Sequence, residues 1–496
     1  MIRQFVRGTL LIAVALATTA VSLHAQLISQ RDYQSRRAAL AGSLRDGVVV
    51  AFGAGEPEQD YLAFFQNPQF EYLTGFREPG AVLVLVKRGN DVKEMMFVMP
   101  RDPAQEVWTG NRTGVEGVRR ITGLDTRAIR ALRPTLDTLL AANPPLHVVG
   151  DYSADEPTAS EDDLFIRELR GRFPGVAVTP VNRAVESLRR LKSPAELDLL
   201  RKAASITVDA QREAIRAIRP GMNEFEIQAL IEYTFRRNGA DRPAFATIVG
   251  SGPNSTTLHY TADNRFMNDG DVVVMDIGAS YRGYAADVTR TVPVNGVFTP
   301  PQREIYQAVR DAQASAERQA KLGSPASNMA DSATASLAAS LTRLGLIESP
   351  FATFDCATGN GVGTCPQLRL YYMHSLGHGI GLDVHDPWRS GAADVLAAGQ
   401  AFTIEPGIYV RGNTLDIIPD TPRNRQLKET IRAAVAKYAN IGVRIEDDYI
   451  VTSTGVEWIS RVPREIAEIE ALMKDRATGP APRDPAKIDW YRATTP

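Results

Sequence analysis

The chain has 496 residues, enough for two or three domains with substantial cores. Hydrophobic residues make up 44% of it and charged residues 23%, and the formal net charge is −2. No basic surplus points to nucleic acid and no acidic tail to a basic partner, so the composition is that of an ordinary globular protein.

The N-terminus departs from that average. Arg3 and Arg7 precede an uncharged apolar run from Gly8 to Val21, and a small residue, Ala25, comes just before Gln26. This is the layout of a secretory signal over residues 1–25, and the run is shorter than the ~20 residues a spanning helix needs. Export to the periplasm or the exterior is expected, with no stable membrane span after cleavage; a retained anchor is the alternative.

From Gln26 to about Arg190 strand and helix patterns alternate. Val48–Phe52, Ala81–Val86, Glu94–Met99 and Leu146–Gly150 read as strands; Ser29–Leu44, Thr126–Ala142 and Glu161–Arg172 read as helices. An α/β domain over 26–190 follows, without a GxGxxG or phosphate loop.

Ser193-Pro194-Ala195-Glu196 opens the second half, 191–475. Serine at the cap, proline at the first helical position and glutamate three residues on form a capping box, predicting a helix to about Ile218. Asn223 and Glu226 repeat the device for a helix ending near Gly239, and a strand is expected over Ala244–Val249. Thr299 and Gln302 cap a third helix to about Leu322, and Ser327–Leu344 reads as a fourth. Helix pair, strands, helix pair, strands hints at an internal duplication. The tail, 476–496, is rich in proline and small residues, as in segments that wrap a surface or stay disordered.

Between the helix pairs lies DVVVMDIGASYRGYAADVTRTVP, Asp271–Pro293, which reads as a hairpin. Centred between Tyr281 and Arg282, it sets Asp276 opposite Asp287, about 5 Å apart. Two carboxylates there repel each other, and a divalent cation would remove the conflict. Two solvated hairpin acids are the bland alternative.

Three of the chain's six histidines, His374, His378 and His385, fall within MHSLGHGIGLDVHD. Gly377, Gly379 and Gly381 argue against a helical HxxxH zinc motif and for a loop that approaches a ligand closely. Glu405 ends an apolar strand in AFTIEPGIY, and Glu446 lies in VRIEDDYIV, where strand alternation puts Arg444 on its face and allows a plain salt bridge instead. Asp447 and Asp448 are expected to face solvent or a sheet edge. Four carboxylates and one imidazole suit two adjacent divalent ions better than one structural zinc. Such a pair lowers the pKa of a bridging water, so hydrolysis is the natural consequence. Cys356 and Cys365 bracket a Gly-rich segment without CxxC spacing; in an exported protein they suit a short-loop disulfide, with free thiols the alternative.

These blocks, with HYTADNRFMNDGD before the hairpin, resemble the proline-specific branch of the pita-bread metallopeptidases, the family of Xaa-Pro aminopeptidase and prolidase. The likeness runs from about Ser193 to Met473, and FEYLTGFREPGAVLVLV, Phe70–Val86, resembles the family's N-terminal domain. It implies an α/β N-terminal domain followed by an α+β pita-bread catalytic domain. By position, Asp276, Asp287, His378, Glu405 and Glu446 become the ligands of two divalent ions, Mn²⁺ by family habit with Zn²⁺, Co²⁺ or Fe²⁺ as alternatives, Asp287 and Glu446 bridging. His385 would stabilise the tetrahedral intermediate or shuttle a proton, His259 would contact the scissile region, and Glu405 would accept the attacking water's proton. His374 and Arg444 would line a proline pocket.

The implied substrate is a peptide with proline second. Rival readings are a prolidase taking Xaa-Pro dipeptides, which needs a group such as Arg411, Arg423 or Arg425 to hold the free carboxylate, and a non-catalytic peptide-binding module or a creatinase-type C–N hydrolase. The long insertion Arg411–Asn440 is less typical of the shorter aminopeptidases. Relatives commonly form homo-oligomers, in which the position of Trp108 can reach a neighbour's cleft.

Overall fold

In a computed structural model of the protein, residues 28–57, 59, 63–152, 160–359 and 361–475 are described. The expected signal segment and the C-terminal tail lie outside them.

The first half builds one six-stranded mixed sheet. Its strands run in the order Asp125–Ala128, Asp91–Val98, Val82–Arg88, Gly47–Phe52, Leu146–Val149, Val178–Pro180. Gly47–Phe52 pairs antiparallel with Val82–Arg88 and parallel with Leu146–Val149, and both faces of this central strand are buried. Val48, Val50 and Phe52 pack into one core with Leu136 and Ile166 of the helices Leu132–Leu140 and Glu161–Arg172. Val49 and Ala51, pointing the other way, join the core that continues into the second half. The helix expected over Thr126–Ala142 is shorter than its pattern. Asp125–Ala128 is drawn onto the edge of the sheet, a 3₁₀ turn takes Ile129–Ala131, and helix begins only at Leu132. Trp108 stands 82% exposed on the short helix Glu106–Thr109.

In the second half all three capping boxes form, at Ser193/Glu196, Asn223/Glu226 and Thr299/Gln302. They start the helices Pro194–Ala217, Glu224–Arg237 and Pro300–Glu317; Ser327–Arg343 follows. The third helix stops short of the expected Leu322 because the chain turns off, the Gly323 N–H donating to Leu396 O at 2.8 Å. The expected strand at Ala244 begins only at Ile248, since the Ala244 N–H is taken by Gly278 O at 2.7 Å.

The strands lie between the helix pairs. Val272–Ile277 is central to Ile248–Ser251 and Val288–Pro293, all antiparallel. Asp447–Thr452 sits between Ala401–Ile404 and Gly455–Trp458, and Gly407–Val410 pairs with Ile441–Arg444. The two groups meet where the Glu446 N–H donates to Thr289 O at 3.1 Å and Thr291 Oγ1 donates to Arg444 O at 3.0 Å.

The hairpin register differs from the sequence expectation by two residues. Arg282 (φ 48°) and Gly283 (φ 80°) form the turn, so Asp276 faces Thr289 rather than Asp287. A two-residue hairpin turn of this hand needs positive φ at both central positions, and Gly283 supplies the second without a Cβ penalty. An even slip keeps side chains on their face, so both carboxylates still point the same way.

Cys356 and Cys365 are disulfide-bonded within the hairpin Thr353–Thr358/Gly361–Pro366. The Arg411–Asn440 insertion folds largely as the helix Pro422–Tyr438, capped by Thr421. No described helix is long and apolar enough to cross a membrane.

A carboxylate-rich candidate metal centre

The strand ends of both groups open onto one cavity of about 610 Å³. Asp276, Asp287, His374, His378, Glu405, Arg444 and Glu446 line it, with His259 and His385 at its exposed rim.

Each group has a local reason for its position. Asp276 leaves a wholly buried central strand. Asp287 sits in the break before Val288–Pro293, its N–H donating to Asp448 Oδ2 at 3.2 Å. A Cβ at Gly278 would lie 1.9 Å from Ala286 O, so only glycine lets the hairpin cross itself there. His378 comes from an irregular segment, its N–H donating to Thr403 Oγ1 at 3.1 Å. A Cβ at Gly377 would meet Thr403 O at 2.1 Å, so the glycine allows that approach. Glu405 and Glu446 sit where Ala401–Ile404 and Ile441–Arg444 end, and Thr289 Oγ1 donates to Glu446 Oε2 at 2.7 Å.

His378 Nδ1 faces Gly379 O at 3.1 Å, and a carbonyl can only accept, so Nδ1 carries the proton. Nε2 is left as the lone-pair nitrogen, 3.5 Å from Asp287 Oδ2, 3.4 Å from Glu405 Oε1 and 3.8 Å from Glu446 Oε1. Burial holds the imidazole down at about 4. It is therefore neutral at pH 7, the form that binds metal.

The carboxylates are shifted the other way. Burial, then the charge of Glu446, pushes Asp287 far up; burial and Glu446 do the same to Glu405; burial and Asp276 bring Glu446 to about 8. Asp276 Oδ1, Asp287 Oδ1 and Glu446 Oε1 are buried without a hydrogen-bond partner. Acceptors packed against like charge and against a neutral nitrogen suit divalent cations, with Asp287, His378 and Glu446 offering atoms within 4.8 Å of one another.

Beside the acids lies a second cluster. Arg444 pairs with Asp276 at 2.5 Å, not with Glu446, because Glu446 falls past the end of the strand. Its Nη1 reaches Tyr409 Oη at 2.8 Å, and that hydroxyl is 2.9 Å from His374 Nε2. Burial, then the Arg444 charge, holds His374 down at about 4. His259 rides on a loop pinned by Glu224, whose Oε2 accepts from Tyr260 Oη and from the Arg265 N–H, each at 2.9 Å.

Sequence reasoning missed Tyr409, Thr289 and Glu224. Tyr409 stood in the AFTIEPGIY block, two positions from the strand start, where alternation alone offered a signal. Asp447 and Asp448, expected at a surface or edge, are fully buried. Arg290 pairs with Asp447 at 2.7 Å, and Asp448 holds the Asp287 main chain.

Residues 198–453 match Metallopeptidase family M24, and residues 33–148 match the aminopeptidase P N-terminal domain. The chain is 35% identical to the Xaa-Pro aminopeptidase of Escherichia coli over 90% of its own length and 98% of the relative's. Identity to the Haemophilus influenzae Xaa-Pro aminopeptidase is 34%, over 90% and 98%. Among solved structures, Escherichia coli aminopeptidase P with the inhibitor Pro-Leu superposes with a TM-score of 0.75 at 32% identity, covering 90% of this chain and 99% of that one. Proline aminopeptidase P II from Yersinia pestis gives 0.75 at 31%, covering 90% and 100%. The chain therefore belongs to metallopeptidase family M24, its aminopeptidase P-type N-terminal domain followed by a pita-bread catalytic domain.

Proposed function

We propose that this chain is a Xaa-Pro aminopeptidase, removing the N-terminal residue from peptides whose second residue is proline. The observation that carries the reading is the convergence of Asp276, Asp287, His378, Glu405 and Glu446, with unpartnered buried oxygens, beside the His374–Tyr409–Arg444 cluster. These five residues would hold two divalent ions, Mn²⁺ by preference, which when bound supply a water nucleophile at neutral pH and polarise the scissile carbonyl.

The protein's own groups do the rest. Glu405 takes the proton of the attacking water. Burial, with the charge of Arg444, keeps His374 neutral, and Tyr409 Oη links the two side chains beside the acids. An Xaa-Pro bond has no amide hydrogen, so recognition falls to shape and to groups that meet the ring and the flanking carbonyls. Phe245, Leu258 and Val384 supply apolar wall; His259 and His385 face the scissile region from the rim. Export of the mature chain is part of the proposal, as is assembly into homo-oligomers.

The dipeptide-specific alternative lacks its anchor at the expected place. Arg423 donates to Thr353 O at 2.6 Å, Arg425 pairs with Asp420 at 3.3 Å, and neither they nor Arg411 line the cavity. Incubating Mn²⁺-loaded protein with Ala-Pro-Ala, Ala-Pro and Ala-Ala-Ala, with mass-spectrometric product analysis, tests the reading. Alanine should leave the proline tripeptide, with little turnover of the others. Turnover of Ala-Pro alone would hand the case to a prolidase; no turnover in protein holding two metals would mean that the substrate is misread, and protein that takes up no metal would leave a binding module.

A further inference from the structure

The segment that presents His385 is clamped by residues that precede the catalytic domain's family match. Asp386, next to His385, is 3% exposed. Its Oδ1 pairs with Arg189 Nη2 and its Oδ2 lies 3.0 Å from Lys192 Nζ. Arg189 Nη2 also reaches Asp383 Oδ2 at 2.7 Å, so one guanidinium bridges the two ends of the turn that carries His385. Arg189 and Lys192 are themselves 2% and 6% exposed. Both lie between the matched stretches 33–148 and 198–453, in the connection joining the two halves of the molecule.

The turn is folded around the Asp386 carboxylate. The Asp383 N–H donates to Oδ1 at 3.3 Å, the Asp386 N–H donates to Gly379 O at 2.8 Å, and a Cβ at Gly381 would sit 2.5 Å from Cγ. Gly381 O in turn accepts the Ala285 N–H at 2.7 Å, two residues before Asp287. The His378 and His385 rings lie 4.3 Å apart, so a shift of this turn moves the rim imidazole relative to the acids. A carboxylate this deeply buried needs its cations, and Arg189 holds Asp386 and Asp383 together through the single nitrogen Nη2.

We infer that Arg189 is a positioning residue for the reaction: through Asp386 and Asp383 it fixes His385 at the mouth of the cavity, tying catalytic geometry to the inter-domain connection. The inference rests on the role given to His385 under the proposed function.

The test is a double-mutant cycle between Arg189→Met and His385→Ala in the metal-loaded full chain, reading kcat and KM on Ala-Pro-Ala and metal content. Arg189→Met should lower kcat about 10- to 100-fold, as a misplaced catalytic group does, while KM moves less than about threefold and metal content is unchanged. Arg189→Lys should recover part of that loss. In the His385→Ala background the same substitution should cost less than about twofold. Equal losses in both backgrounds would overturn the inference while leaving the role of His385 standing. A His385→Ala enzyme with wild-type kcat would overturn both. Should Arg189→Met fail to fold, Asp383→Asn, which removes the more exposed arm of the bridge, carries the cycle with a smaller loss of the same pattern.

Discussion

Arg290 offers the sharpest test of how the acids are held in place. Its side chain is fully buried, and all its hydrogen bonds run to groups around Glu446. Nη1 donates to Glu446 O at 2.7 Å and Thr289 O at 2.9 Å; Nη2 donates to Asp447 Oδ1 at 2.7 Å and Val462 O at 2.9 Å; Nε donates to Pro463 O at 2.9 Å. Arg290→Met keeps the bulk and removes every donor. Removing one partner of a buried ion pair costs about 3–5 kcal/mol. Here Asp447 retains Arg464 at 3.0 Å and Ser460 Oγ at 2.7 Å, but four main-chain carbonyls lose the arginine as donor, Thr289 O alone keeping the Glu446 N–H named above. A loss of about 4 kcal/mol in urea unfolding of the metal-loaded protein is expected. Because Glu446 O is one of those carbonyls, metal affinity should also fall, by about 10- to 100-fold in chelator competition. A single variant within 1 kcal/mol of wild type, with metal affinity unchanged, would refute the reasoning.

Metal binding should release protons: Glu446 is held at about 8 and Asp287 and Glu405 are raised well above the ordinary carboxylate range, so the metal-free site carries protons at pH 7 that bound cations expel. Calorimetry in buffers of different ionisation enthalpy reads this, and buffer-independent heats would contradict it. By the same linkage the metal-free protein binds more protons folded than unfolded between the ordinary carboxylate range and about 8. Its stability should therefore fall as pH rises through that window, and metal should flatten the profile. His147, in the N-terminal sheet, is pushed below its ordinary value by burial. The stability that wild type holds over His147→Leu in denaturant titrations should shrink as pH falls below about 6.5. Replacing Cys356 and Cys365 by serine should remove at most about 3 kcal/mol and leave kcat unchanged, because the hairpin they staple does not line the cavity.

The parts of this molecule legible in its sequence are those whose physics is local. Ser193, Asn223 and Thr299 start helices because cap and glutamate or glutamine lie three residues apart, and nothing distant can alter that spacing. The glycines around His378 likewise excluded a helix, and the segment is irregular. Register was harder. Placing the turn at Arg282-Gly283, one position beyond the centre expected between Tyr281 and Arg282, required knowing which residues take positive φ. Asp447 and Asp448 were misread because alternation tells which face a residue takes, not whether another element covers that face; Arg290, 157 positions away, covers Asp447. Thr126 shows the converse, a helical pattern overridden by an available sheet edge. Arg189 and Asp386 are 197 positions apart, and no periodicity connects them.

The central claim is that five side chains hold two ions in one cavity. Anomalous diffraction from crystals of Mn²⁺-loaded protein measures this directly. Two peaks a few ångströms apart, each beside members of this set of five, are expected. A single peak, or peaks away from these residues, would contradict the claim.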